Sequence, residues 1–208
     1  MLSHEKNTKK STGYPIVNSF FSFSQTAEEL DFVAPFSDGV AAIKKANSWG
    51  FINDKGAIVI NFRNDLVLTQ FGDSNYPIFK NNRCLISEKK DGITYFGYID
   101  KTGETVIAPK FLNASNFKNN EAIALELIKN ELGENEILGK NIVYYRYFNV
   151  TIDSDGNIKN YLNPKGVNIV LDKKYLRKPP KITSKKIYNN IYAVLNENKK
   201  WTIVTTNN

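Results

Sequence analysis

A unit of about fifty residues recurs along this chain, and it constrains the fold more than any other feature. A sequence that repeats at such a period builds its structure from stacked copies, none of which can bury its apolar face alone. The first copy reads Phe36-Ser-Asp-Gly-Val-Ala-Ala-Ile43, a polar break, then Trp49-Gly-Phe-Ile-Asn-Asp-Lys-Gly-Ala-Ile-Val-Ile60. The second reads Phe79-Lys-Asn-Asn-Arg-Cys-Leu-Ile86, a break, then Phe96-Gly-Tyr-Ile-Asp-Lys-Thr-Gly-Glu-Thr-Val-Ile-Ala-Pro-Lys-Phe111. The third opens with Phe117-Lys-Asn-Asn-Glu-Ala-Ile-Ala124 and, after an insertion, continues as Asn149-Val-Thr-Ile-Asp-Ser-Asp-Gly-Asn-Ile158. A fourth, half present, runs from Ile187-Tyr-Asn-Asn-Ile-Tyr-Ala-Val194 to Lys200-Trp-Thr-Ile-Val204.

The turn residues give each copy a mechanical meaning. Gly39, Asn82, Asn120 and Asn190 stand before an apolar run in every copy, and glycine and asparagine are the residues that enter the left-handed region most cheaply. A second set, Gly56, Gly103 and Gly156, spaced by 47 and 53 residues, follows Asn-Asp-Lys, Asp-Lys-Thr and Asp-Ser-Asp between runs rich in Ile, Val, Tyr and Phe. These mark short hairpin loops closed by a glycine at positive φ. The expected fold is all-β: stacked antiparallel hairpins or meanders in units of about 34–75, 76–113, 114–165 and 185–208, after a polar lead-in at 1–33 whose first 15 residues or so lack fixed structure. Thr26-Ala-Glu-Glu29 has the capping-box pattern of one short helix before the repeats. Asn120 to Gly133 has helix-forming composition with caps at both ends, whereas the repeat alignment makes Ala122–Leu127 a strand; strand is favoured, since tertiary context overrides propensity. The expected core is Phe36, Ile43, Trp49, Ile52, Ile58, Phe79, Ile86, Phe96, Ile99, Val106, Ile107, Val194 and Trp201.

The pattern Phe-x-x-Gly-x-Ala-x-Ile, Trp-Gly-Phe-Ile-Asn-x-x-Gly, Val-Ile is similar to the bacterial WG (or KWG) β-repeat. Trp49-Gly50 carries it in the first copy. Phe96-Gly-Tyr-Ile-Asp100 with Pro109-Lys-Phe111 carries it in the second, so the resemblance covers residues 34–125 well and 141–204 poorly. Asn149-Val150 replaces Trp-Gly in the third copy, and Thr202 stands where glycine would in the fourth. The resemblance implies a non-enzymatic all-β scaffold with no set of catalytic residues. WG-like repeats also resemble some proteins encoded beside bacterial toxins, which implies an immunity protein with a toxin domain as its partner.

Composition narrows the chemistry. The 208 residues are 41% hydrophobic and 24% charged, enough to fold a core, yet they hold one cysteine and one histidine. No intramolecular disulfide, cysteine-rich zinc site or multi-histidine centre can be built from Cys84 and His4. Cys84 aligns with Ala41 and Ala122, small strand positions, and is expected buried and inert, and His4 is expected idle in a solvated tail. Gly133 to Asn141 fails as a phosphate loop, because its gap holds five residues and Asn141 replaces the magnesium-binding hydroxyl. Asp153-Ser-Asp-Gly-Asn157 places its glycine wrongly for a calcium loop and is expected to be a hairpin turn. The recurring Trp49, Phe96 and Trp201 are structural anchors before they are stacking platforms. No metal or cofactor is expected, and no catalysis, although a carboxylate-based hydrolase would need only two acids that no motif marks.

Charge supplies the candidate site. The net charge of +7 equals that of Lys173–Lys186, which holds Lys173, Lys174, Arg177, Lys178, Lys181, Lys185 and Lys186 and no acid. With Tyr175 and Pro179-Pro180 interleaved, this extended segment between repeats suits an acidic protein surface or phosphates, its plainer reading being a solvated loop between repeats, as charge runs usually are. Another protein is the favoured partner, and a nucleic acid or other polyanion the rival, because the neutral remainder offers no second basic patch. Met1 is the single methionine and is taken as the native start; without a signal-like or membrane-spanning apolar run, a cytoplasmic chain with no membrane partner is expected.

Overall fold

Sixteen strands and no helix make up residues 27–135 and 140–206, which are the residues described by the computed structural model. In chain order they are β1 (Phe32–Val33), β2 (Val40–Lys45), β3 (Ser48–Asn53), β4 (Ile58–Arg63), β5 (Thr69–Phe71), β6 (Ser74–Tyr76), β7 (Cys84–Lys90), β8 (Ile93–Ile99), β9 (Thr105–Phe111), β10 (Ala122–Asn135), β11 (Lys140–Ile152), β12 (Ile158–Tyr161), β13 (Val167–Ile169), β14 (Ser184–Tyr188), β15 (Ile191–Leu195) and β16 (Trp201–Thr205). They form antiparallel meanders β1-β2-β3-β4, β7-β8-β9, β10-β11-β12 and β14-β15-β16, with β5-β6 a small hairpin and β13 paired to β11. Each meander is one repeat.

Two kinds of turn set the frame. Asp38-Gly39, Asn81-Asn82 and Asn119-Asn120 all lie at φ between 50° and 81°. Two successive positive φ values define the two-residue turn whose twist matches antiparallel strands. At the second kind, Asn53 Oδ1 accepts the amides of Lys55 and Ala57, and Asp100 and Asp153 accept the equivalent pairs before Gly103 and Gly156. The Thr102 hydroxyl and these amides hold the Asp100 carboxyl below its ordinary range. The fourth unit has the same turn, with Asn196 Oδ1 accepting the Lys200 amide and Lys199 left-handed at φ 58° where the others use glycine.

Each unit also recruits a leading strand. Beyond β4 the chain passes straight to the edge of β7, where Ser87 donates to Asp65 O and Val67 to Leu85 O. Beyond β9, Leu112 and Ser115 donate to Leu125 O and Ile123 O at the edge of β10. The third strand of one unit thus runs directly into the sheet of the next.

Strand alternation then assigns every residue to one of two neighbours. Val40, Ala42, Trp49, Phe51 and Ile60 of the first unit pack with Phe79, Cys84, Ile86 and Ile99 of the second. Leu85, Phe96, Tyr98, Ile107 and Phe111 of the second face Phe117, Ala122, Ala124, Val150 and Ile152 of the third. Ile123 and Leu162 face Tyr192 and Val194 of the fourth. A fourth cluster, with Leu112 and Leu125 at its centre, is covered by Leu171, Leu176 and Ile182 of the connection between units.

Ala122–Leu127 is strand, as the repeat required, because Ala122 and Ala124 pack toward one unit while Ile123 faces the other. Four expectations need correction. Phe36 and Trp201 are 55% and 53% exposed, because among the described residues no unit packs over either of them. The counterparts Phe79 and Phe117 pack edge-on at 4.8 Å against Phe51 and Tyr98 of the preceding unit, and no described unit precedes Phe36. Val106 is 40% exposed on the open side of β9, and Ile52 and Ile58 are only half-buried. No helix precedes the repeats among the described residues: Glu29 is left-handed at φ 56°, which breaks any right-handed turn. Residues 1–15, His4 and 136–139 lie outside the described residues, but Glu134↔Asn141 and Asn135↔Lys140 pair as the stem of a hairpin rather than as a phosphate loop.

The Trp-Gly pair now has a physical reason. A Cβ on Gly50 would lie 2.7 Å from Ile60 O, and one on Gly97 would lie 2.7 Å from Pro109 N. The third strand bulges across the glycine in both units, since the register steps at Trp49/Phe51 and Phe96/Tyr98. In the third unit Val150 pairs in step with Tyr161, as Thr151 does with Asn160, so the bulge at the glycine position is absent and the register steps only at Thr151/Ile152.

Candidate functional site

The basic segment is divided by the fold into three parts. Lys173, Lys174, Tyr175, Arg177 and Lys178 occupy an exposed turn nucleated by Asp172, whose carbonyl accepts the amides of Tyr175 and Leu176 and whose carboxylate accepts that of Lys174. Tyr175 is 68% exposed with Lys174 over its ring, while Leu176 anchors the turn in the core. Pro180 and Ile182, on either side of exposed Lys181, fix the middle part: Asn113 Nδ2 donates to Pro180 O at 2.8 Å, and Ile182 packs between two core clusters. Lys185 and Lys186 belong to β14 and point to opposite faces.

That split separates the cations chemically. Lys186 Nζ lies 3.1 Å from Glu121 Oε1, and the same carboxylate accepts the Tyr192 hydroxyl at 2.8 Å. Burial, then the bond to Glu121, raises the Tyr192 hydroxyl above its ordinary pKa. Lys186 is therefore part of a structural network between the third and fourth units. Lys185 instead lies 4.6 Å from the centre of the Trp201 ring on the outer face. The sequence brought these lysines together by proximity in the chain, but it could not show that Glu121, 65 residues away, claims one of them.

The outer face of β14-β15-β16 carries Trp201 and Ile203, at 53% and 60% exposed, beside Lys185, with Tyr188 at 66% on the same sheet. Register identifies this face. Val194 pairs with Thr202 and Leu195 with Trp201, as Ile43 pairs with Gly50 and Lys44 with Trp49. Trp201 and Ile203 hence stand where Trp49 and Phe51 stand, and those two are 8% and 1% exposed because the next unit covers them. Sequence reasoning placed Trp201 in the core; the missing signal was that strand parity directs positions 201 and 203 toward a following unit.

A cleft of about 810 Å³ opens beside this sheet, between Tyr161, Leu162 and Pro164 on one side and Val194, Thr202 and Val204 on the other. Cys84, the single thiol, is fully buried and pushed up to about 12 by desolvation. Among the described residues no three acidic, histidine or cysteine side chains gather as a metal site, and no helix is long and apolar enough to cross a membrane.

No curated protein and no solved structure matches the chain. The family described as WG containing repeat matches at residues 49–83 and 96–125, which span the second and third strands of the first unit with the lead into the second, and then the corresponding stretch of the second unit into β10. The two matches begin at Trp49 and Phe96, the residues whose following glycine admits the bulged third strand. The chain therefore carries WG-containing repeats in its first two units.

Proposed function

We propose that this β-repeat module is non-catalytic and recognises another protein through the outer face of β14-β15-β16, with the exposed basic turn at 173–178 as a separate electrostatic contact. The observation that carries this reading is the exposure of Trp201 and Ile203 at positions built for stacking. An exposed Trp with an Ile and a cation over the ring is the composition of an interface hot spot, where a few aromatic anchors supply most of the affinity. Lys173, Lys174, Arg177, Lys178 and Lys181 add positive charge that speeds encounter with an acidic surface. Neutralising a toxin by covering its working surface is the specific role that fits such a module in a cytoplasmic setting.

The test is affinity capture from the native host with the full chain and with Trp201→Ala. A specific protein partner should be retained by the wild type and released about thirtyfold more readily by the variant, as a hot-spot loss implies. Retention of nucleic acid instead, falling steeply with salt and lost when Lys173, Lys174, Arg177 and Lys178 become Ser, would overturn the reading. Turnover of a hydrolase substrate by the purified chain would overturn its non-catalytic part.

A further inference from the structure

The face of the first unit that looks away from the second is buried at its centre, although no unit among the described residues lies over it. Val40 and Ala42 of β2 pack toward the second unit, so by alternation Ala41 and Ile43 point the other way. They are 1% and 0% exposed, and neither packs in the four clusters that the described residues form. Their counterparts show what such burial requires. Cys84 and Ile86 are covered by the first unit, and Ala122 and Ala124 by the second. In the first unit the neighbours on this face do not close it. Val33, paired with Ile43, and Phe36 are each 55% exposed, and Ile52, paired with Ala41, is half-buried.

The chain that leads into β1 arrives at this spot. Lys45, the last residue of β2, donates to Glu28 O at 3.4 Å and pairs with Glu29 at 3.8 Å, and Asp31 N donates to Lys44 O. Residues 28–31 are thereby held beside the end of β2, and at about 3.3 Å per residue the segment before them can cross the whole face. Its composition suits that course. From Ser11 to Ala27 the sequence holds no charged residue, and Ile16, Val17, Phe20, Phe21 and Phe23 fall within eight positions. Phe21 and Phe23 alternate with Ser22 and Ser24, a pattern that gives an extended chain one apolar and one polar side. A stack of repeats needs such a covering on its first unit, since an apolar end left open would associate.

We infer that residues 16–23 dock on the outer face of the first unit, over Ala41 and Ile43, and cap the stack. Their phenylalanines stand in for the rings that Phe51 and Tyr98 supply to the faces of the second and third units. The occupant is part of this chain, so the cap is independent of the interaction reading.

Ala41→Cys tests it in the full chain, because Cys84 holds the same position in the second unit and serves as the internal standard. With an aromatic disulfide reagent at pH 8, the introduced thiol should stay as unreactive as Cys84. Adding Phe21→Asp and Phe23→Asp should raise its rate about tenfold or more while Cys84 stays silent, which reports that the repeats remain folded. Equal reactivity with and without the two aspartates would overturn the cap: if fast in both, the face is open, and if slow in both, the described residues cover it by themselves. Protection that weakens on dilution would assign the face to a second copy and overturn it as well. A photo-crosslinking phenylalanine in place of half-buried Ile52 keeps the test valid if Ala41→Cys disturbs the sheet. Mass spectrometry should find it joined to residues 16–23, and capture of another segment, or of none, would overturn the cap.

Discussion

Replacing Gly97 with Ala tests the account of the Trp-Gly signature most directly. The added Cβ would meet Pro109 N at 2.7 Å, Ala108 C at 2.8 Å and Ile107 O closer still, all of them backbone atoms. No side chain can rotate out of the way, so β9 must shift, and Ile107 and Phe111, 3% and 1% exposed, would lose their fit against the third unit. Overpacking of this kind costs about 1–3 kcal/mol or more. Against it stands the lower entropy of alanine in the unfolded chain, about 0.4–1 kcal/mol. The net expectation is about 2 kcal/mol of destabilisation, which for a chain of this size lowers the melting temperature by roughly 4–8 °C. Circular dichroism during heating and urea titration measure it. Gly56→Ala provides the comparison: its φ of +76° is unfavourable to alanine but nothing lies within 4 Å, so only the left-handed cost of about 1 kcal/mol applies. A Gly97→Ala protein as stable as the wild type, or less affected than Gly56→Ala, would refute the claim that the third strand crosses there.

Cys84 should not react with an aromatic disulfide reagent at pH 8 until the protein unfolds, because burial pushes its thiol from 9.0 up to about 12. The raised value means that the unfolded state releases the proton first, so stability should fall as pH climbs from about 9 toward 12, and Cys84→Ala should flatten that slope in urea midpoints. Arg63→Met should cost about 1 kcal/mol, read by the same melts. It removes the paired bonds to Asp65 at 2.6 and 2.7 Å and the bond to Gly103 O that ties the first unit to the second, at a site that water partly screens. Tyr192→Phe should cost about 1–2 kcal/mol, since the Glu121 carboxylate between the third and fourth units loses its hydroxyl donor.

What the sequence disclosed follows from which features leave a trace in residue type. Left-handed backbone does: Gly39, Asn82 and Asn120 marked their turns, and Gly56, Gly103 and Gly156 theirs. Lys199 adopts the same conformation without announcing it, so the fourth copy looked poorer than it is. The leading strands at 65–67 and 112–115 were invisible, because two or three backbone bonds at a sheet edge ask nothing of the side chains that make them. The basic segment was visible as charge, but its division was not, since Leu176 and Ile182 are anchored by residues distant in sequence. The core list failed where a position buried inside the stack recurs at its end, as with Phe36 and Trp201.

The third unit differs from the first two in what its second strand turns toward the next sheet. Inside the first two interfaces the second strand presents Trp49 with Phe51, then Phe96 with Tyr98, and large rings fill the space to the next sheet. The third unit presents Asn149 and Thr151 instead, both fully buried. Asn149 exchanges hydrogen bonds with Thr183 and so fastens the leading strand of the fourth unit, and Thr151 accepts one from Asn160. Short polar side chains hold the sheets in register but fill less volume than rings, and a buried polar pair of this kind specifies geometry more than it adds stability. Thr183, the partner of Asn149, lines the cleft between Leu162 and Val204. The substitution of Trp-Gly by Asn-Val therefore goes with the loss of the bulge at the glycine position and thins the apolar layer at the last interface.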